Sequence, residues 1–184
     1  MKTIGLLGGM SWESTASYYR IMNEAVRDRM GGLHSAQICM YSVEFGIVQN
    51  LMAVGNWDAV TEILSDAAQK AENAGADFVL ICTNTMHKLA SEIQKEISIP
   101  ILHIADAAAG ALSRDGVKCA GLLGIRPTMQ QEFCRDRLIS QGIKIVTPSE
   151  EDMDFFQDVI FSELCAGVFK DETRKRFREV MAYL

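Results

Sequence analysis

The sequence predicts an α/β fold, with parallel-type sheets flanked by helices in two similar, pseudosymmetric domains of which the second is incomplete. Three observations lead there. Short apolar runs alternate with segments of helical period along all 184 residues. One run, 78–82, is continuously apolar, as suits a strand covered on both faces. The tetrapeptide Gly5-Leu6-Leu7-Gly8 recurs as Gly121-Leu122-Leu123-Gly124, and each copy ends a strand pattern shortly before a helix start.

Residues 4–8 read as the first strand, ended by Gly8-Gly9. Ser11 is placed to cap a helix whose apolar stripe runs through Tyr18, Ile21, Met22, Ala25 and Val26, and Gly31-Gly32 stop it. Residues 37–42 form a second strand. Trp57, Val60, Leu64, Ala67 and Ala71 recur at spacings of three and four, an amphipathic helix over 57–74 that ends at Gly75. The strand at 78–82 is followed by a helix over 87–96 and a strand over 99–104. The pattern resumes with a strand at 118–123, a helix at 128–139, a strand at 143–146 and a helix at 152–165. The order of elements repeats around the two tetrapeptides, which places a domain boundary between 104 and 105 and predicts domains 1–104 and 105–184.

The two copies are offset by 116 residues, from Gly5 to Gly121. In that register Leu184 corresponds to residue 68, inside the first half's amphipathic helix, and the counterpart of Cys82 falls at 198. The expectation is a second domain cut short before its cysteine-bearing strand, with apolar surface and a sheet edge exposed. The protein itself is expected to continue for roughly another 40–50 residues.

Composition narrows the function. Hydrophobic residues make up 48% and charged residues 23%, which excludes a disordered chain. Eighteen Lys+Arg against 24 Asp+Glu leave a net charge of −6, which repels phosphate backbones and argues against a nucleic-acid partner. No run of 18 apolar residues spans a membrane, and the start, Met1-Lys2-Thr3-Ile4-Gly5, has no separate signal region. Five scattered cysteines, an odd number without C-x-x-C, read as reduced thiols of a cytoplasmic protein, neither a disulfide framework nor a metal site.

In open parallel sheets, ligands bind at the carboxyl ends of strands beside helix N-termini. Two loops of the first half stand there. Gly8-Gly9-Met10-Ser11 lets the backbone approach a carboxylate, or is a tight turn with no ligand; it is neither a dinucleotide fingerprint nor a P-loop. Cys82-Thr83-Asn84-Thr85-Met86-His87 sets a thiol at a strand tip facing a helix N-terminus, where a lowered pKa and partial exposure can coincide. Hydroxyls, an amide and backbone N–H groups follow it, a set that can hold an amino acid's carboxylate and ammonium. The alternative is a core cysteine followed by a polar turn. Cys39 and Cys119 in strands, and Cys134 and Cys165 in helices, read as structural. His87 reads as a polar group at a helix start, with a catalytic role as the alternative, while His103 stands at a strand end near the cleft.

At these loops the sequence resembles the aspartate/glutamate racemase family, specifically its broad-specificity amino-acid racemase branch. The resemblance is carried by Gly8-Gly9-Met10-Ser11-Trp12-Glu13-Ser14-Thr15 and by Cys82-Thr83-Asn84-Thr85-Met86-His87-Lys88. It extends to Leu33-His34-Ser35-Ala36-Gln37, Leu102-His103-Ile104-Ala105-Asp106-Ala107 and Leu122-Leu123-Gly124 with Thr128-Met129. It implies racemisation of a free amino acid without a cofactor, by two cysteines on opposite faces of the substrate in a cleft between paired domains. It implies that Cys82 is the first catalytic cysteine, and that Met10, Thr83, Asn84, Thr85 and, from the second half, Thr128 contact substrate. A homodimer is the expected assembly. Two departures stand out. Ile125 replaces the threonine common in relatives, and the family's second cysteine, in a Gly-Cys-Thr segment, is absent from residues 1–184. The chain by itself is therefore expected to be inactive or nearly so. The alternatives are a one-cysteine relative, such as a decarboxylase, or an amino-acid-binding protein without catalysis.

Overall fold

The computed structural model describes residues 1–184. Two compact units divide the chain, Met1–His103 and Ile104–Leu184.

In the first unit β1 (Ile4–Gly8) is followed by α1 (Trp12–Met30), β2 (Ile38–Ser42), α2 (Phe45–Ala53), α3 (Trp57–Asn73) and β3 (Phe78–Ile81). A 3₁₀ turn (Thr85–Leu89) then leads into the short α4 (Ala90–Lys95). The three strands pair in parallel in the order β2-β1-β3, with Ile4 opposite both Ile38 and Phe78. A parallel ladder needs crossovers, and the helices supply them. The best-covered strand is β1, which lies between β2 and β3; β2, at the edge, is exposed from Met40 onward. The prediction that 78–82 is the doubly covered strand is corrected accordingly: Phe78 and Leu80 are only half-buried.

The amphipathic helix appears as α3, whose Val60, Leu64, Ala67 and Ala71 are buried together with Leu7, Val79 and Ile81. Each fully buried Val, Leu or Ile side chain among these contributes about 1.5–3 kcal/mol. The predicted stripe of α1 is covered far less: Tyr18 and Met22 are half-buried, Ile21 and Ala25 are exposed, and Thr15 is the buried position. The predicted helix at 87–96 is split between the 3₁₀ turn and α4.

The predicted strand at 99–104 shrinks to a single bridge between Val79 and Ile101. Pro100 has no N–H to give a ladder, and the Gln94 side chain takes the place of a strand by accepting from Ile101 N at 2.8 Å and donating to Ile99 O at 3.0 Å. A helix also begins at once, α5 (Ile104–Arg114), in the second unit.

After α5 come β4 (Cys119–Gly121), α6 (Arg126–Gln130), α7 (Glu132–Ser140), β5 (Lys144–Val146), α8 (Glu150–Ser162), a 3₁₀ turn (Leu164–Ala166) and α9 (Asp171–Tyr183). The strands β4 and β5 pair in parallel, with Ala120 opposite Ile145. The predicted helix at 128–139 is broken at Gln131, whose extended backbone separates α6 from α7. Cys165 lies in the 3₁₀ turn instead of a helix, and Cys119 is exposed on β4, so neither is a core residue. No helix is long and apolar enough to cross a membrane.

Candidate active site

The carboxyl ends of β1 and β3 lie side by side, since Leu7 is opposite Ile81. The Cys82 N–H donates to Leu7 O at 2.9 Å, which extends the ladder by one bond into the loop. The Cys82 carbonyl accepts from the Ser14 hydroxyl at 2.7 Å. The cysteine's backbone is thus held from both sides, by β1 and by the first turn of α1.

The glycine loop after β1 is shaped by close approach. Gly9 has φ +94°, and a side chain there would meet Val43 O at 2.2 Å. A side chain on Gly8 would stand 2.3 Å from Thr15 Cγ2. Thr15 closes the loop: its hydroxyl accepts from Gly9 N at 2.9 Å and donates to Ser11 O at 3.1 Å. Ser11 does stand at the N-cap of α1, but its side chain makes no capping bond. The hydroxyls one turn later, on Ser14 and Thr15, instead bond back to the Ser11 carbonyl, which reverses the predicted direction.

Cys82 is 1% exposed, and burial pushes its thiol up to about 12. The sequence offered the opposite expectation, a lowered pKa with partial exposure, beside that of a core cysteine. Two physical reasons reverse it. Removal from water disfavours the thiolate, and the segment after the strand is a five-residue 3₁₀ turn with little dipole to offset that cost. Tyr18, one turn beyond Ser14, feels the same environment: burial first, and the charge of an ionised Cys82 second, raise its phenol.

The first unit therefore gathers Met10, Cys82, Thr83, Asn84 and Thr85 at one end of its sheet. Met10 is buried and belongs to the same core cluster as Met86. Thr85 is buried, Thr83 half-buried and Asn84 exposed. Thr128 belongs to the second unit, in α6, with its N–H on Ile125 O at 2.9 Å. It packs against Gly124, where a side chain would stand 3.0 Å from Thr128 Cβ. The second unit thus repeats the pairing of a glycine with a threonine seen at Gly8 and Thr15. Ser14, Thr15 and Tyr18 were not singled out as site residues from the sequence. Their signal was the spacing of Ser11, Ser14, Thr15 and Tyr18, which puts all four on the helix face that opens at the loop.

Residues 7–184 match the family model for the Asp/Glu/hydantoin racemases. The chain is 32% identical over 89 residues to the broad specificity amino-acid racemase RacX of Bacillus subtilis (strain 168); the match spans 48% of this chain and 39% of that protein. A crystal structure of a candidate Asp/Glu racemase from Yersinia pestis superimposes with a TM-score of 0.89 at 44% identity, over 100% of this chain and 80% of the other. An aspartate racemase homologue from Pyrococcus horikoshii OT3 does so with a TM-score of 0.82 at 30% identity, with the same coverage.

Proposed function

The chain belongs to the Asp/Glu/hydantoin racemase family, and on that premise we propose that it serves in cofactor-independent racemisation of a free amino acid, with Cys82 as one of two proton-transferring cysteines. The observation that carries this reading is the Cys82 thiol, buried at the end of β3 with its backbone held on both sides and a polar loop following it.

The chemistry is a balanced proton exchange. A thiolate on one face takes the Cα proton, and a thiol on the other face gives its proton to the carbanion, leaving the substrate inverted and the two cysteines with exchanged protonation. A thiol near 12 starts as the proton donor, so Cys82 is the acid in the first turnover of one enantiomer and becomes the base for the other. Loop N–H groups at 83–85 and the glycine loop at 8–11 supply donors for the carboxylate, which favours charge build-up at Cα. The protein acts as a cytoplasmic homodimer. The opposite-face cysteine is assigned to a Gly-Cys-Thr segment, which residues 1–184 do not contain; residues 1–184 alone then invert no amino acid.

Deuterium incorporation at Cα, followed together with chiral chromatography, tests this. Cys82→Ala is expected to cut exchange by about 10²–10⁴-fold in the active protein. Full exchange in that variant sinks the assignment of Cys82, and inversion by residues 1–184 alone sinks the assignment of the opposite-face cysteine to a Gly-Cys-Thr segment. The high pKa of Cys82 also favours a second reading, a one-thiol enzyme that protonates a carbanion after loss of CO₂. Release of CO₂ with a single deuterium delivered to Cα, and no inversion, distinguishes it.

A further inference from the structure

His87 is 3% exposed, inside the turn that follows the candidate nucleophile. Its Nδ1 lies 2.8 Å from Thr83 O and 3.3 Å from Asn84 O. Carbonyl oxygens only accept, so Nδ1 must carry a proton. The ring is also fixed from the side by His103, whose ring centroid lies 4.6 Å away at 61°. A trans peptide points its N–H opposite to its C=O. By capturing Thr83 O, the imidazole therefore turns the next N–H, that of Asn84, away from itself, at a residue that is exposed.

We propose that His87 is a positioning residue: a Nδ1–H imidazole that holds the turn after Cys82 so that the Asn84 N–H faces outward as a donor for a substrate carboxylate. The inference rests on the reading of this loop as the binder of an amino acid. It assigns His87 no proton transfer with substrate; the residue acts through Thr83 and Asn84.

Substitution can separate this role from packing. The side-chain N–H of Asn can reach where Nδ1 stands, that of Gln reaches where Nε2 stands, and Leu has none. The probe is iodoacetamide, with modification of Cys82 followed by peptide mass spectrometry in the folded protein. His87→Leu and His87→Gln are expected to raise the Cys82 alkylation rate about tenfold or more, while His87→Asn stays within about twofold of the unaltered protein. Equal rates in all three variants, or a Gln rescue without an Asn rescue, overturn the proposal. Where His87→Leu does not fold, ¹⁵N spectra of the unaltered protein decide: protonated Nδ1 on His87 supports it, and a bare Nδ1 overturns it. In the active protein, His87→Leu raises KM more than it lowers kcat. Absence of racemisation in the unaltered protein removes the proposed function and leaves the alkylation and ¹⁵N results standing on their own.

Discussion

The two units of the chain are built from the same parts and held by different forces. The first has a three-stranded sheet whose central strand is buried, and one continuous apolar cluster that joins β1, β3 and α3 through Leu7, Val79, Ile81 and Leu64. The second has two strands of three residues and two separate clusters, one around Ala109 and Leu138, the other around Phe156 and Val180. There the helices are tied by charge. Arg126 reaches Glu150 at 2.6 Å and Asp154 at 2.7 Å, and Arg137 reaches Asp106 at 2.7 Å. The buried Asp152 accepts from Arg176 at 2.6 Å, from Ser149 at 2.6 Å, and from the Tyr183 hydroxyl. Glu163 accepts from Lys170 at 2.9 Å and Thr173 at 2.8 Å. Where little sheet is available to bury, hydrogen-bonded carboxylates fix helix positions that an apolar core fixes elsewhere.

The largest expected effect that sharpens this comparison is a cavity. Leu7→Ala, on the central strand, costs about 2–5 kcal/mol, and more than Leu138→Ala in the smaller cluster. Urea denaturation read by hydrogen exchange in α3 and in α7 measures both; equal losses erase the difference between the cores.

Overpacking comes next. Gly8→Ala forces a methyl to within 2.3 Å of Thr15, whereas Gly124→Ala meets Thr128 at 3.0 Å, where a few tenths of an ångström of movement suffice. The first costs about 1–3 kcal/mol and the second less, by thermal denaturation. A reversed order breaks the parallel between the two glycine–threonine pairs.

Acid separates the units as well. The Ser149 hydroxyl, then Tyr183 and Arg176, hold the Asp152 carboxyl below its usual range, and Lys170 with Thr173 does the same for Glu163. A lowered carboxyl pKa adds stability that is present above the unfolded value, about 4, and is lost as pH falls through the folded one. Amide protection in α8 and α9 is therefore expected to fall before that in α3 as pH drops below about 4, and Asp152→Asn flattens the slope. The first unit has a single counterpart among these lowered carboxyls, Glu72, held down by the Ser98 hydroxyl and N–H at a partly exposed position. Earlier loss in α3 contradicts the division of forces.

Surface pairs bring the smallest effect. Arg20 and Glu24 pair at 3.1 Å one turn apart on an exposed face of α1. Arg20→Ala is expected to change stability by no more than about 0.5 kcal/mol, within the error of a melting curve.

Legibility in the sequence followed locality. Helix α3 was readable because its apolar positions keep strict period, and β1 because it is short, apolar and ended by glycine. Helix α2 escaped because it is nine residues long and apolar on most sides, leaving no contrast to read; Glu44, which accepts from Gly46 N and Ile47 N, was its only start signal. Helix α5 escaped because its first residue, Ile104, was read as the end of a strand, and the small side chains that bury Ala105 and Ala109 give little apolar contrast to read. The strand expected at 99–104 failed because a side chain, Gln94, does the work of a neighbouring strand, and a propensity reading has no term for that.

By itself the sequence determined the alternation of strands and helices, the two loops at the strand ends, the cysteine between them and the family that these residues mark. Those features are written in adjacent residues, whose backbone preferences and periodicity act over one or two turns. Tertiary structure decided which strand is central, that Ser14 and Thr15 rather than Ser11 close the glycine loop, and that Cys82 rests as a thiol. Each of these depends on partners distant in the chain or on exclusion from water, and the pKa of a buried group follows from the medium around it, which no local run of residues specifies.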